Sequence, residues 1–242
     1  MRHSFCFALL ATRSPPRGVA DVVFSDAWAG GASVKGVDGA RSGAVASSAV
    51  ADAFARRREA GLALVECAEA VTATAADMAA RFGAGGRLIA FGNGAGSTDA
   101  QHIAVEFIHP VIIGKRALPA IALTNDVASL SGIAERAGWD QVFARQIQQL
   151  GRPRDIAVGF LSLGGASRNV LRGLLVAGEL GLLTVALGGE ADDAPTLAVD
   201  HVLPVRSTDP QIVKEVGVTI YHILWELVHV FLERPGPAWS AT

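Results

Sequence analysis

The 242-residue sequence has few of the features that mark secreted, membrane or nucleic-acid-binding proteins. Its only cysteines are Cys6 and Cys67, which are not at a metal-ligand spacing. So few cysteines suit a reducing compartment, and we expect a cytoplasmic protein. The formal net charge of −2 gives no electrostatic reason to expect nucleic acid as a partner. Charges, glycines or prolines interrupt each apolar run before it reaches membrane-spanning length, so we expect no membrane partner.

Half of the residues are apolar, which is enough for one domain with a large buried core. Residues 1–48 are rich in Gly, Ala and Ser, and we expect them to form a disordered or loosely attached extension. The domain itself would be residues 49–242. It opens with residues 49–82, which lack proline and carry apolar side chains at roughly helical intervals, a pattern that predicts one long helix or two.

Short apolar runs then alternate with helical patterns. This alternation predicts an α/β fold with a parallel, doubly wound sheet covered by helices on both faces. The last helix is predicted to start after Asp209, a favourable N-cap residue, with Pro210 at its first position, and to end near Glu233.

Residues 86–107 read as strand, glycine loop and helix, with Ser97, Thr98 and Asp99 as possible caps at the start of the helix. Such a junction points backbone N–H groups and the positive end of a helix dipole at one place, which favours phosphate. The same helix carries His102 and Glu106 four residues apart, hence on one face. Both features also have a structural explanation, since glycine loops join many strands to helices and His–Glu pairs occur on helix surfaces.

A second junction of this kind follows the apolar strand at residues 156–161. Its loop contains Ser162 and Ser167, whose hydroxyl groups could also bind an anion. Thr124 and Asp126 follow another predicted strand, where ligands bind in parallel α/β sheets, but they could equally cap the next helix. His222 on the last helix belongs to a polar stripe that could also be a solvated face.

Together the motifs resemble a known family. The segments GNGAGSTDAQHIAVEF, LPAIALTNDVASLSGIAERAGWDQVFARQI, GRPRDIAVGFLSLGGASRNVLR and RSTDPQIVKEVGVTIYHILWELV follow one another in the family's order. They resemble the phosphoheptose isomerase group of the sugar isomerase (SIS) domain family over about residues 50–233.

The resemblance implies a flavodoxin-like, five-stranded parallel sheet flanked by helices, and a homotetramer with active sites at subunit interfaces. It implies conversion of sedoheptulose 7-phosphate to D-glycero-D-manno-heptose 7-phosphate through an enediol. Glu106 would be the catalytic base and His222 the acid, while His102, Glu106 and His222 would surround a zinc ion. The residues expected to bind the phosphorylated sugar are Asn93, Gly94, Gly96, Ser97, Thr124, Asp126, Ser162, Ser167 and Lys214.

The chain departs from the family pattern at the site. Lys214 stands where the family has a fourth metal ligand, a glutamine, and a protonated lysine has no lone pair for a metal. Gly96 stands where the family has a phosphate-binding serine, and the loop at residues 162–167 has lost two hydroxyl positions. Two interpretations stay open. Either the Lys214 ammonium replaces the metal and catalysis persists, or the protein is a retuned or non-catalytic relative that binds a phosphosugar or acts as an interaction adaptor.

Overall fold

The computed structural model describes residues 39–162, 167–188 and 198–233, with side chains from Ser47 onward. The described residues form one parallel sheet of five strands in the order β2-β1-β3-β4-β5. The strands are β1 (Leu88–Gly92), β2 (Ala120–Ala122), β3 (Ile156–Leu161), β4 (Leu183–Gly188) and β5 (His201–Leu203). The helices are α1 (Gly39–Ala63), α2 (Ala68–Gly83), α3 (Ala95–Ile108), α4 (Val127–Ala137), α5 (Val142–Leu150), α6 (Arg168–Glu179) and α7 (Pro210–Glu233). The predicted doubly wound, five-stranded α/β fold is confirmed.

The sheet is buried on both faces because its strands are apolar on both sides. Along β1, Leu88 and Ala90 belong to a core shared with α2, α3 and α7, whereas Ile89 and Phe91 belong to a core shared with α4, α5 and α6. This alternation follows from the two-residue period of a strand. The direction of strand addition reverses between β1 and β3, so the carboxyl ends of these strands flank a crevice where ligands bind in such sheets.

The start of the N-terminal helix differs from the prediction. Helix α1 begins at Gly39, so residues 39–48 are helical rather than part of a disordered extension. The first compact unit of the chain ends at Ala51, and the structure describes only residues 39–51 of it, all within α1. A short 3-10 turn, Leu64–Cys67, separates α1 from α2, which resolves the predicted choice between one helix and two. Residues 1–38 of the predicted extension lie outside the described residues, and the domain division stays a prediction.

Helix α7 modifies the expectation that no apolar run reaches membrane-spanning length. By length and composition alone, its 24 residues are apolar enough to cross a membrane. Its buried residues, among them Ile220, Leu224 and Val228, lie in the core shared with α2 and α3. The helix is therefore apolar because it covers one face of the sheet. Its N-terminal half also lies beside α3, and the two helices carry the candidate site.

Candidate functional site

Helix α3 begins earlier than the sequence predicts, directly after Gly94 in the glycine loop that follows β1. Gly94, with φ of +52°, precedes the first helical residue, and no side chain caps the helix. The Gly96 N–H donates to the Asn93 carbonyl at 2.8 Å, and the Ser97 N–H donates to the Gly94 carbonyl at 3.0 Å. The expected caps Ser97, Thr98 and Asp99 therefore lie inside the first turns of α3.

A close contact explains why glycine occupies position 96. A Cβ atom built on Gly96 would lie 3.0 Å from the Phe160 Cβ, and one on Gly92 would lie 2.8 Å from the Gly96 backbone. The loop thus packs directly on the end of β3. A serine at position 96, as in the family pattern, would require Phe160 to move.

His102, Glu106 and His222 come together as predicted from the resemblance. Each offers one ligand atom, and these atoms all lie within 4.8 Å of one another. His102 Nε2 lies 3.2 Å from Glu106 Oε1, and the rings of His102 and His222 meet edge to face with centroids 5.1 Å apart. The Glu106 side chain is only 12% exposed, against 41% for that of His102. We call these three residues the triad.

The donor set of the triad fits zinc. Two imidazoles and one carboxylate are a common catalytic zinc set, and such sites leave a fourth position for water or substrate. The fit therefore needs no ligand from position 214. The roles of the triad stay predictions, but the geometry brings together the three residues that the sequence pattern placed on two distant helices.

Lys214 does not lie where the sequence argument placed it. Its ammonium donates to the Ala95 carbonyl at 3.0 Å and to the Thr98 hydroxyl at 2.8 Å, and it forms an ion pair with Asp99. An ammonium has three N–H donors, so these contacts use all of them. Lys214 thus tethers α7 to the first turns of α3, and the expectation of an ammonium beside Glu106 and the histidines is corrected.

Two further residues, Asp99 and Tyr221, connect this tether to the triad, and the sequence did not predict either contact. The Tyr221 hydroxyl lies 2.7 Å from His102 Nδ1 and 3.4 Å from Asp99 Oδ1. The side chains of Lys214, Asp99, Tyr221, His102 and Glu106 therefore form one continuous polar chain. Two sequence positions could have indicated these contacts. Asp99 comes three residues before His102, and Tyr221 is next to His222.

Tyr221 keeps its proton under all ordinary conditions. The residue is fully buried, and this burial raises the pKa of its hydroxyl well above the usual value. The carboxylates of Asp99 and Glu106 raise the pKa further because they disfavour a second negative charge nearby. The hydroxyl is therefore a neutral group with one hydrogen to donate.

The two predicted anion loops are joined by a pair of amides. Asn93 Nδ2 donates to Asn169 Oδ1 at 2.7 Å, and Asn169 Nδ2 donates back to Asn93 Oδ1 at 2.8 Å. In the second loop, the Ser162 N–H donates to the Ser167 hydroxyl at 3.2 Å. Residues 163–166 lie outside the described residues. Asn93 and Ser167 thus hold loops in place, and their predicted contacts to substrate remain predictions.

Breaking the amide pair should destabilise the protein. In an Asn169→Ala variant, the Asn93 amide loses its partner in a partly buried position, so the free energy of unfolding should fall by about 1–3 kcal/mol. Urea denaturation measures this change. The exposed Asn125 provides the control, since Asn125→Ala should have little effect. Equal stability of the two variants would contradict a structural role for the pair.

Thr124 and Asp126 have different environments. Asp126 caps α4, accepting from the Ser129 N–H at 3.1 Å and from the Ser129 hydroxyl, and these bonds lower the pKa of its carboxyl group. The capping alternative therefore holds for Asp126. The Thr124 hydroxyl oxygen is buried and lacks a hydrogen-bond partner within the described chain. Thr124 lies in the turn that follows Ala122, the last residue of β2, which pairs with Ala90 on β1.

A cleft of about 240 Å³ lies at the carboxyl ends of β3 and β4, between the first turns of α3 and α7. Gly96, Ser162 and Lys214 are among its lining residues, with apolar walls from Phe160, Leu187 and others. Asp99 also lines it, so the polar chain leads from the cleft to the triad. Its Lys214 partner balances the Asp99 charge, which would otherwise disfavour an anion there.

The fold is that of a doubly wound α/β domain, and the chain belongs to the SIS domain family, whose model matches residues 54–189. The phosphoheptose isomerase of Solidesulfovibrio magneticus is 41% identical over 165 residues, which cover 68% of this chain and 80% of that protein. The phosphoheptose isomerase GmhA from Neisseria gonorrhoeae has a TM-score of 0.65 and 30% identity, covering 75% of this chain and 97% of that one. A phosphoheptose isomerase from Francisella tularensis has a TM-score of 0.66 and 28% identity, covering 75% and 96%. The family resemblance is confirmed.

Proposed function

We propose that this protein is a phosphoheptose isomerase that interconverts sedoheptulose 7-phosphate and D-glycero-D-manno-heptose 7-phosphate. The observation that carries the proposal is the triad of His102, Glu106 and His222, which Tyr221 connects to Asp99 in the wall of the cleft. The names of the relatives support the same activity, and the intact triad favours it over a non-catalytic adaptor.

The reaction needs a base for a proton on carbon and an acid for the neighbouring oxygens. Glu106 removes a proton from C1 of the ketose, which gives an enediol, and returns a proton to C2 to form the aldose. His222 moves a proton between the oxygens on C1 and C2. The nearly buried Glu106 side chain limits contact with water, and His102 holds one carboxylate oxygen in position at 3.2 Å.

The triad is also where a zinc ion would bind. His102, Glu106 and His222 would hold it, and the metal would supply Lewis-acid polarisation of the sugar carbonyl and hydroxyl oxygens. The Lys214 side chain does not compete for this position, because its three donors are used at the start of α3. Loss of the family's glutamine ligand would leave a site of three protein ligands, which is sufficient for a catalytic zinc.

The phosphate group would bind in the cleft, near the start of α3 and Ser162. Each hydroxyl lost relative to the family pattern would weaken phosphate binding by about 1 kcal/mol. We therefore expect a higher KM than in an enzyme with all of these hydroxyls, but not a loss of activity.

The protein would act as a cytoplasmic homotetramer with active sites completed by neighbouring subunits. The paucity of cysteine supports the location. Exposed apolar side chains next to the triad support the assembly, since Val105 adjoins Glu106 and Ile223 adjoins His222. The loop after α3 adds Val111, Ile112 and Ile113, the last of which is fully exposed.

The direct test is incubation of the full-length protein with sedoheptulose 7-phosphate, with added zinc and with a chelator, while NMR follows the sugar. Formation of the heptose 7-phosphate, faster with zinc, is the expected result. Turnover of a shorter phosphosugar alone would mean that the substrate is misassigned. No turnover of any phosphosugar by folded, zinc-supplied protein would contradict isomerase activity.

The Thr124 hydroxyl provides a second test. A Thr124→Val variant should be as stable as the wild type or slightly more stable, because the hydroxyl has no hydrogen-bond partner to lose among the described residues. If the hydroxyl binds the sugar, KM should rise about 5–10-fold, which corresponds to one lost hydrogen bond of about 1 kcal/mol. Thermal unfolding and steady-state kinetics measure the two effects. Thr124→Ser keeps the hydroxyl and should keep KM, and an unchanged KM in the valine variant would remove Thr124 from the site.

A further inference from the structure

One buried group next to the triad has no part in the proposed reaction. The Tyr221 hydroxyl, on α7, reaches the ring nitrogen of His102 that faces away from Glu106, at 2.7 Å. On its other side, Asp99 lies at 3.4 Å and is held in turn by Lys214. Nothing in the fold requires a hydroxyl here, because the Tyr221 ring already packs edge to face on Phe160 and on both triad histidines.

We propose that Tyr221 is a positioning residue that orients His102 for zinc, and that Asp99, held in place by Lys214, is the acceptor for the Tyr221 hydroxyl when His102 binds zinc. The proposal rests on the proposed zinc site at the triad, and it adds residues that the proposed function does not use.

The positions of the hydrogens support this role. A neutral imidazole has one N–H and one acceptor nitrogen. Without metal, an ionised Glu106 requires the hydrogen on His102 Nε2, 3.2 Å away, so Nδ1 accepts from the Tyr221 hydroxyl. The nitrogen that faces Glu106 is also the one available to a metal at the triad. If Nε2 gave its lone pair to zinc, the hydrogen of the neutral imidazole would be on Nδ1, which would then donate to the Tyr221 oxygen.

This reversal leaves the Tyr221 hydrogen in need of a new acceptor. Asp99 Oδ1 is in reach, and the Lys214 ion pair fixes it there. A metal-bound histidine whose second nitrogen donates to a hydrogen-bonded partner is held in its ligating orientation. Lys214 thus acts on the site indirectly. It does not bind the metal but holds Asp99, the acceptor to which the Tyr221 hydroxyl redirects its hydrogen bond.

The test is the zinc dissociation constant of the full-length protein, measured by competition with a chromogenic chelator. Tyr221→Phe removes the hydroxyl and keeps the ring, and it should weaken zinc binding by about 10–100-fold. Asp99→Asn keeps an acceptor oxygen but loses the charge, so a smaller weakening is expected. Thr219→Val is the matched control, because this exposed hydroxyl on the same helix bonds to the Glu215 carbonyl of its own helix, and zinc affinity should not change. Circular dichroism and thermal unfolding confirm that each variant is folded.

The outcomes separate this inference from the proposed function. Wild-type protein that binds zinc and isomerises, with a Tyr221→Phe variant of equal zinc affinity, would overturn the role of Tyr221 alone. Zinc binding that weakens as expected in a protein without isomerase activity would support the role of Tyr221 and overturn the proposed function. Wild-type protein that takes up no zinc would overturn the inference and the zinc site together.

Discussion

Replacing Glu106 by glutamine should lower kcat for heptose isomerisation by about 10²–10⁴-fold, the usual contribution of a general base. Glutamine has nearly the same shape but cannot take a proton from C1. The amide can still contact His102, so the fold should be retained. Glu106 suits the role of the base because its side chain is less exposed to water than that of its partner His102. Steady-state turnover of sedoheptulose 7-phosphate measures the loss.

A matched control is available on the opposite face of the sheet. Glu135 is an exposed residue of α4, and Glu135→Gln should leave kcat unchanged. Because Glu106 is also a candidate zinc ligand, both variants should be assayed at saturating zinc, with metal content measured. A Glu106→Gln enzyme that keeps its kcat, or that loses it only through loss of zinc, would contradict the assignment of Glu106 as the base.

The second large effect is expected at His222. A His222→Asn variant should lose about 10²–10³-fold in kcat, since it lacks the group that moves protons between the sugar oxygens. It should also bind zinc more weakly, since one of three candidate ligands is gone. Because His222 is exposed, its removal leaves no cavity in the core, and stability should change little. Kinetics, zinc content and thermal unfolding give the three quantities.

His201 is the control for His222. It lies on β5, and its Nε2 forms an exposed hydrogen bond with Asp77 Oδ2 at 2.7 Å, so His201→Asn should cost little stability and no activity. Activity of the His222→Asn enzyme within a few-fold of wild type would mean that another group moves the proton. The candidate site would then have to be reassigned to residues of a neighbouring subunit.

Local patterns in the sequence predicted the fold and one pair of candidate site residues. The strands are nearly continuous apolar runs because both sheet faces are covered, and the α3 pair of His102 and Glu106 follows from helical spacing alone. The association of His222 with this pair came from the family resemblance. Spacing could not supply it, because His222 is on a different helix.

The contacts that tune the site depend on which side chains meet across distant elements. Tyr221 and His102 are 119 residues apart, and neither residue type predicts the other as its contact partner. The Lys214 charge was recognised, but its partner was not, since Asp99 reads equally well as a helix cap. Asn93 is predicted to bind the sugar, and only the packed structure shows that its amide also pairs with Asn169. Long-range partners of this kind are set by tertiary packing rather than by local spacing.

The proposed role of Glu106 is to carry a proton between C1 and C2 of a phosphorylated heptose. Its most direct test is to incubate the zinc-supplied, full-length protein with sedoheptulose 7-phosphate in deuterated water and to locate deuterium by NMR. Deuterium at C2 of the product heptose, absent with Glu106→Gln, is the predicted result. Product without deuterium at C2 would contradict an enediol whose proton exchanges with solvent on Glu106. No product and no exchange at C1 of the substrate would contradict the activity itself.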